Sequence, residues 1–510
     1  MSEASARAAV HFSQMTPAEL LHLVHGCTFD DILFSPKLGV LTRRDPGRID
    51  LSSRLSTNLT LKRPIVSANM DTITRAPMAI VLAEEGGLGV IDRGFRPGEI
   101  DAQVREIKTV KRTQHGVVSD PYTVTPDASV ENAVADMERS GVGTLMVVDG
   151  AGRLVGLLTE RDTRFAAGTS RVSERMTPVE RLVVHEGAIT LDDAERVMRE
   201  RKIKKLPLID ADRHLVGLIT ARDIVKQRRQ PFATRDAQGR LRVGAAIGAT
   251  GDYLERAAEL IRAGVDVVVL DIAHGHSVVM ARAIEQVRKR FGEIELIAGN
   301  VGTAEGARFL AERGVNGIKV GIGPGGGCTT RLNTNFGVPQ VEALVACRQA
   351  ADGRVPLIAD GGVKRDGALL QALLFGGDTV MLGSFFAGTT ETPGDTVQKP
   401  VVLPESHKTV KVPFKVFRGM ASLQAIVDRL DVEDSEAADV EAMGAEGMEV
   451  SVPARGSVRP IIRNSLKHLC SAISYGGARN LAELQEMFRK DPARYVIRLT
   501  AAGRRESFER

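Results

Sequence analysis

A chain of 510 residues is too long for one hydrophobic core, so two or more domains are expected. Hydrophobic residues make up 43% and charged residues 26%, and a net charge of +4 gives no electrostatic footprint for nucleic acid or a membrane surface. No apolar run approaches the ~20 residues that span a bilayer, the N-terminus mixes charge and polarity too early for a secretion signal, and four scattered cysteines without metal-ligand spacing suit free thiols in a reducing cytoplasm.

In chain order, two short apolar runs come first, PIVSANM (64–70) and GLGVID (87–92). Six more follow after residue 240: VGAAIG, VDVVVLD, ELIAGN, GIKVGI, PLIADGG and DTVMLG. Amphipathic segments such as YLERAAELIRAG and AEGARFLAERG separate them, each closing on a Gly where a helix C-cap is expected. Eight strand–helix units predict an α/β fold of the (β/α)₈ TIM-barrel type. A doubly wound open sheet is the rival, but it has no need of eight similar units.

Between the second and third strands lies an internal duplication. VENAVADMERSGVGTLMVVDGAGRLVGLLTERD aligns with LDDAERVMRERKIKKLPLIDADRHLVGLITARD without gaps. Met137 matches Met198, Asp149 matches Asp210, Gly156 matches Gly217 and Thr159 matches Thr220, each pair 61 residues apart. Each copy reads as helix, strand, turn, strand, helix. The expected organisation is a barrel built from 1–115 and 229–510, with a small two-copy domain over 116–228 inserted as a loop. Both copies end in Gly-x-x-Thr-x-x-Asp, giving Thr159 with Asp162 and Thr220 with Asp223. A strand running into a helix places the Thr hydroxyl at a helix N-terminus, where phosphates are favoured, and the Asp could bind ribose hydroxyls. The plainer reading is an N-cap and its first turn.

Barrel enzymes work at the C-terminal ends of their strands. Polar residues gather there: Asn69 and Asp71 after the first, Asp271 on the fourth, Asn300 on the fifth, Asp360 to Gly362 on the seventh, and Gly383 with Ser384 on the eighth. Any one alone is better read as a cap or turn residue; their joint placement favours a site. The sixth strand runs into GIGPGGGCTTR, where five glycines and Pro324 precede Cys328. Such a loop can aim backbone N–H groups inward, and with Arg331 three residues on it favours a thiolate. A buried, inert thiol is the alternative, and it suits Cys347 and Cys470 better. The seventh and eighth strand ends commonly hold phosphate in barrels, which FMN would satisfy as well as a nucleotide.

Together these pieces resemble the IMP dehydrogenase / GMP reductase family over nearly the full length. SANMDT (67–72), EEGGLGVI (84–91), LDIAHGHS (270–277), AGNV (298–301), GIGPGGGCTTR (321–331), ADGG (359–362), MLGSFFAG (381–388), FRGM (417–420) and SYGGA (474–478) occur in order, and the cysteine loop is specific to the family. The duplicated insert resembles a tandem pair of cystathionine-β-synthase (CBS) modules, which in this family implies an adenine or guanine nucleotide bound at Thr159, Asp162, Thr220 and Asp223. The resemblance implies covalent attack of Cys328 on C2 of a purine nucleoside monophosphate, with hydride passing between C2 and the nicotinamide of NAD(P). It places Asp360, Gly362, Gly383, Ser384 and Met420 on the substrate, Asp271 on substrate or cofactor ribose, and Asn300 near the nicotinamide. It also implies a potassium ion on the carbonyls of Gly323, Gly325 and Cys328, and a homotetramer or octamer. The family usually carries Ser where Gly326 stands, so one phosphate contact is missing.

The direction of the reaction turns on a flap over 420–452. In the family, dehydrogenases use an Arg-Tyr pair there to activate water, whereas reductases expel ammonia and need no such pair. The nearest match here is Arg429-Leu430, and Leu relays no proton. EGMEVSVPARGSV (446–458) resembles the reductase segment, in which Glu446 would pair with Thr330, and Asn69 in ANMDT points the same way. HGHS at 274–277, RGM at 418–420 and the CBS pair lean towards a dehydrogenase. GMP reductase with NADPH is the expectation, IMP dehydrogenase with NAD the alternative, and an inactive nucleotide sensor or a flavin-dependent barrel enzyme the readings from other classes.

Overall fold

The computed structural model describes residues 15–96, 98–113, 117–118, 121–187, 189–402, 407–428 and 444–508. Contacts divide the chain into two compact units. One contains residues up to Val110, 232–234 and 242 onward; the other contains 111–231 and 235–241. The expected insert, 116–228, falls inside the second.

The first unit is a closed barrel of eight parallel strands: β1 Ile65–Ser67, β2 Leu88–Ile91, β3 Gly244–Ile247, β4 Val267–Asp271, β5 Leu296–Val301, β6 Gly317–Val320, β7 Leu357–Asp360 and β8 Thr379–Leu382. The eight apolar runs of the sequence are these strands. A helix follows each: α1 Ala76–Glu84, α2 Ile100–Arg112, α3 Tyr253–Arg262, α4 Val278–Phe291, α5 Ala304–Ala311, α6 Gln340–Ala351, α7 Asp366–Leu374 and α8 Val458–Tyr475. The strands are buried on both faces, which is why they read as continuous apolar runs rather than alternating ones. Val66, Val90, Ala246, Val267, Val269, Ile297, Ile358 and Met381 fill the barrel together with Leu55, Leu59 and Leu61. The last three come from a hairpin, Ser53–Arg54 with Thr60–Leu61, that plugs one end. Its Thr57 amide donates to the Asn316 carbonyl just before β6, so the plug sits at the N-terminal end of the strands. The opposite end is left for chemistry.

A three-stranded antiparallel sheet extends from the loop between β8 and α8: β9 Val397–Val402, β10 Thr409–Arg418 and β11 Glu449–Pro453. Lys415 on β10 anchors it, its ammonium donating to the Thr389 (3.2 Å) and Thr392 (2.6 Å) carbonyls.

The second unit holds the duplication. Helices Val130–Ser140 and Leu191–Glu200 and strand pairs Thr144–Val148 with Leu154–Thr159 and Lys205–Ile209 with Leu215–Thr220 repeat the 61-residue register. Equivalent positions meet about a pseudo-twofold axis. Arg153 bridges His214, the Leu154 amide donates to the Arg213 carbonyl, the Leu215 amide donates to the Gly152 carbonyl, and Lys205 donates to Thr144. The two copies also exchange edge strands: Val117–Val118, from ahead of the first copy, pairs with Leu215–Thr220, and Thr177–Pro178, from ahead of the second, pairs with Leu154–Thr159.

Among the described residues no helix is long and apolar enough to cross a membrane.

Candidate active site

The C-terminal ends of the strands line a cavity of about 320 Å³. Site residues expected in the barrel border it, namely Asn69, Asp271, Asn300, Gly323, Gly325, Cys328, Thr330, Asp360, Gly362, Gly383, Ser384, Met420 and Glu446, whereas Asp71 does not.

Cys328 is half-buried, whereas Cys27, Cys347 and Cys470 are buried. Burial pushes the Cys347 thiol up to about 12 and the Cys470 thiol up to about 11, which favours the protonated form of both. The loop before Cys328 packs against the β7 end. Gly361 has φ +90°, and a Cβ there would approach Pro324 and the Gly325 amide within about 3.0 to 3.1 Å, so only glycine allows the contact. Arg331 directs its Nη2 to the carbonyls of Ile322 (3.3 Å) and Val338, bracing the loop. Burial pushes its pKa down, and its charge remains close enough to Cys328 for the two to interact.

The segment ahead of β11 closes this loop from the other side. The Thr329 amide donates to the Glu446 carbonyl (2.8 Å) and the Met448 amide to the Gly327 carbonyl (2.9 Å). These bonds, with a bridge between Cys328 and Gly447, make a short antiparallel pairing. It exists because three glycines meet: a Cβ on Gly419 would lie 2.5 Å from the Gly327 carbonyl oxygen, and Gly447 is as crowded by Ser422. The pairing delivers the Glu446 side chain to Thr330. The Thr330 hydroxyl donates to Glu446 Oε2 (2.7 Å), and the Cys328 thiol lies 3.2 Å from the Thr330 Oγ1. A nucleophile, a hydroxyl and a carboxylate are thereby in line, able to pass a proton to or from a group held at the sulfur.

At the cavity floor four strands contribute one charged cluster. Lys319 on β6 is buried, with Nζ 2.9 Å from Asp271 Oδ1 on β4, 2.8 Å from Asp360 Oδ2 on β7, and bonded to Asn300 Oδ1 on β5. Asn300 Nδ2 donates to Asp360 Oδ2 (2.9 Å) and to the Gly321 carbonyl (2.8 Å). Arg93 adds a second cation at Asp271, 3.4 Å away. Burial alone would lower the lysine's pKa, but Asp271 and Asp360 outweigh it and hold the ammonium above its ordinary range. Burial likewise opposes ionisation of Asp271, and Lys319 with Arg93 reverses that and keeps the carboxyl below the usual range.

Arg418 fastens β10 to the rim. Its guanidinium bonds Asp71 Oδ2 (2.6 Å) and Asp428 (2.7 Å), and the Asp71 amide donates to Met420 Sδ (3.3 Å). Lys319, Arg93 and the Arg418–Asp71 pair escaped the sequence reading. A lysine inside the apolar run GIKV was a usable signal for the first; the Arg418–Asp71 pair spans 347 residues and left none. Arg429 and Leu430, expected to show whether a water-activating pair survives, lie outside the described residues. In the second unit, Thr159 precedes the helix Glu160–Thr163, and its amide (2.8 Å) and hydroxyl (2.7 Å) both donate to Asp162 Oδ2, a capping box. Thr220 occupies the matching place before Ala221–Arg229, while the Asp223 side chain lies outside the described residues.

A closed α/β barrel with a loop-borne thiol, a charged cluster and a glycine-rich loop gathered at the C-terminal ends of its strands is the site of a barrel enzyme. The family model for the IMP dehydrogenase / GMP reductase domain matches residues 26–509, and the chain belongs to that family. Inosine-5'-monophosphate dehydrogenase of Aquifex aeolicus is 42% identical over 486 residues, 94% of each chain. GMP reductase of Leishmania major is 41% identical over 497 residues, 95% of this chain and 96% of that one. Among solved structures, a cysteine-to-alanine variant of GMP reductase from Trypanosoma brucei in complex with guanosine 5'-monophosphate superposes with a TM-score of 0.85 at 35% identity, covering 94% of this chain and 97% of that one.

Proposed function

We propose that the chain is a GMP reductase, converting GMP and NADPH to IMP, ammonia and NADP. The carrying observation is the line from Cys328 through Thr330 to Glu446. In this reading the Cys328 thiolate adds to C2 of GMP, and the 2-amino group leaves as ammonia with a proton passed along Glu446 and Thr330. NADPH, held towards Asp271 and Asn300, would supply the hydride that C2 accepts, and breaking of the C2–S bond returns the Cys328 thiolate and releases IMP. The chain's own part is to hold the purine over Cys328 with Met420, the ribose on Asp360, and the phosphate on Gly362, Gly383 and Ser384, with Asp271 and Asn300 towards the cofactor. The carbonyls of Gly323, Gly325 and Cys328 are neutral oxygen donors in one tight turn, a donor set suited to potassium.

The repeat pair fits a regulatory CBS module, with an adenine or guanine nucleotide at Thr159 with Asp162 and Thr220 with Asp223, in a homotetramer or octamer. The dehydrogenase reading keeps the support of HGHS at 274–277, RGM at 418–420, the repeat pair and the similarity to dehydrogenases at up to 42% identity. Following nicotinamide absorbance separates the two. GMP with NADPH is expected to turn over faster than IMP with NAD, and the reverse order would replace the reductase by a dehydrogenase.

A further inference from the structure

The ammonium of Lys319 has three protons and three protein acceptors: Asp271, Asp360 and Asn300. None is left for a ligand, so Lys319 is no acid or base for the reaction. Its surroundings explain what else it does. Asp360 receives both of its protein donors, Lys319 and Asn300, on Oδ2 alone. Oδ1 is therefore the oxygen this carboxylate can offer to a ribose hydroxyl in the cavity it lines. Asn300 is used at both ends and cannot rotate without breaking the set. Asp271 and Asp360, from strands β4 and β7, share the Lys319 ammonium; without it Asp271 would keep Arg93, and the half-buried Asp360 would keep the Asn300 amide but lose the cation that fixes its Oδ2.

We propose that Lys319 is a positioning residue that sets the sugar specificity of the site, by locking Asp360 in the one orientation that selects a ribonucleotide over its 2'-deoxy counterpart. The inference rests on Asp360 holding the substrate ribose, as in the proposed function. Nothing in the sequence spacing marks this role, because the four groups lie on four different strands and meet only when the barrel closes.

The test compares kcat/KM for GMP and for 2'-deoxyguanosine 5'-monophosphate in the wild type, Lys319→Met and Lys319→Arg. Wild type should prefer GMP by at least about tenfold, the scale of one hydrogen bond to a charged acceptor. Lys319→Met should lose turnover on GMP and bring the ratio to within about threefold of unity. Lys319→Arg, which keeps the charge but not the geometry, should give a ratio in between. Iodoacetamide labelling of Cys328, the one cysteine not buried, at the wild-type rate reports an intact loop in each variant. Equal losses on the two nucleotides, leaving the ratio unchanged in a folded variant, would overturn the proposal. So would failure of both variants to fold, which would make Lys319 a structural residue only. A wild type that turns over neither GMP nor IMP would instead defeat the proposed function.

Discussion

In the repeat pair, three acids close on their own turns. Asp149 accepts the Ala151 and Arg153 amides, Asp210 those of Asp212 and His214, and Asp162 the Thr159 amide and hydroxyl. In the barrel, the charged groups at the strand ends find partners far away in sequence, as Lys319 does with Asp271 and Asp360 and Arg418 with Asp71. An acid satisfied within four residues stabilises a turn and costs the fold little. An acid satisfied only by another strand requires a desolvated cluster, which is retained where it does something. The difference can be attacked at both ends.

The largest expected effect is at the nucleophile. Cys328→Ala should reduce turnover of GMP by about 10⁴-fold or more while leaving the thermal midpoint unchanged, as activity assays and calorimetry would read. Residual activity within about tenfold of wild type would exclude covalent catalysis at Cys328. Next, Glu446→Gln and Thr330→Val should each lower kcat by about 10²-fold to 10⁴-fold. If the two act as one relay, the double variant should be no slower than the worse single one. Multiplying losses would show two independent roles.

A smaller effect is expected in the second unit. Asp162→Ala removes the capping box and should lower stability by about 0.5–2 kcal/mol, read as a shift in the thermal midpoint, with the GMP reaction unaffected when no effector is present. With ATP or GTP added, the Asp162→Ala/Asp223→Ala pair should lose whatever response in activity or assembly the wild type shows, a coupling of about 1–3 kcal/mol. Wild type that binds neither nucleotide outside the barrel would reduce the repeat to scaffold. Smallest is Gly326→Ser. A Cβ at this position would sit 3.2 Å from Ser384 Oγ, at the end of the cavity proposed to take the phosphate. The added hydroxyl should lower KM for GMP by about twofold to tenfold with kcat unchanged. A raised KM would show that the serine pair is too crowded there.

The barrel was legible because its strands are buried on both faces, so each is an apolar run ending abruptly in Gly, Asn or Asp. Cys328 was legible from the glycines that aim its loop, and the duplication from an unbroken register. The pairing of Thr330 with Glu446 across 116 residues came from resemblance to the family, since no spacing encodes it. Lys319 was visible as an oddity in GIKV, but its three partners belong to strands that neighbour it only once the barrel is closed. The exchanged edge strands were invisible for a simpler reason: Val117–Val118 and Thr177–Pro178 are two residues each, too short to show a period.

That exchange has a consequence for how the chain is made. As the first copy leaves the ribosome, Val117–Val118 has no partner, because its sheet is completed only by Leu215–Thr220. The first copy's own sheet waits in turn for Thr177–Pro178. The first copy can complete its sheet once Thr177–Pro178 has emerged, whereas Val117–Val118 stays unpaired until the second copy is made, so the exchange is finished only when both are present. A chain halted between the copies would present open strand edges, the surface on which unfinished chains stick to one another.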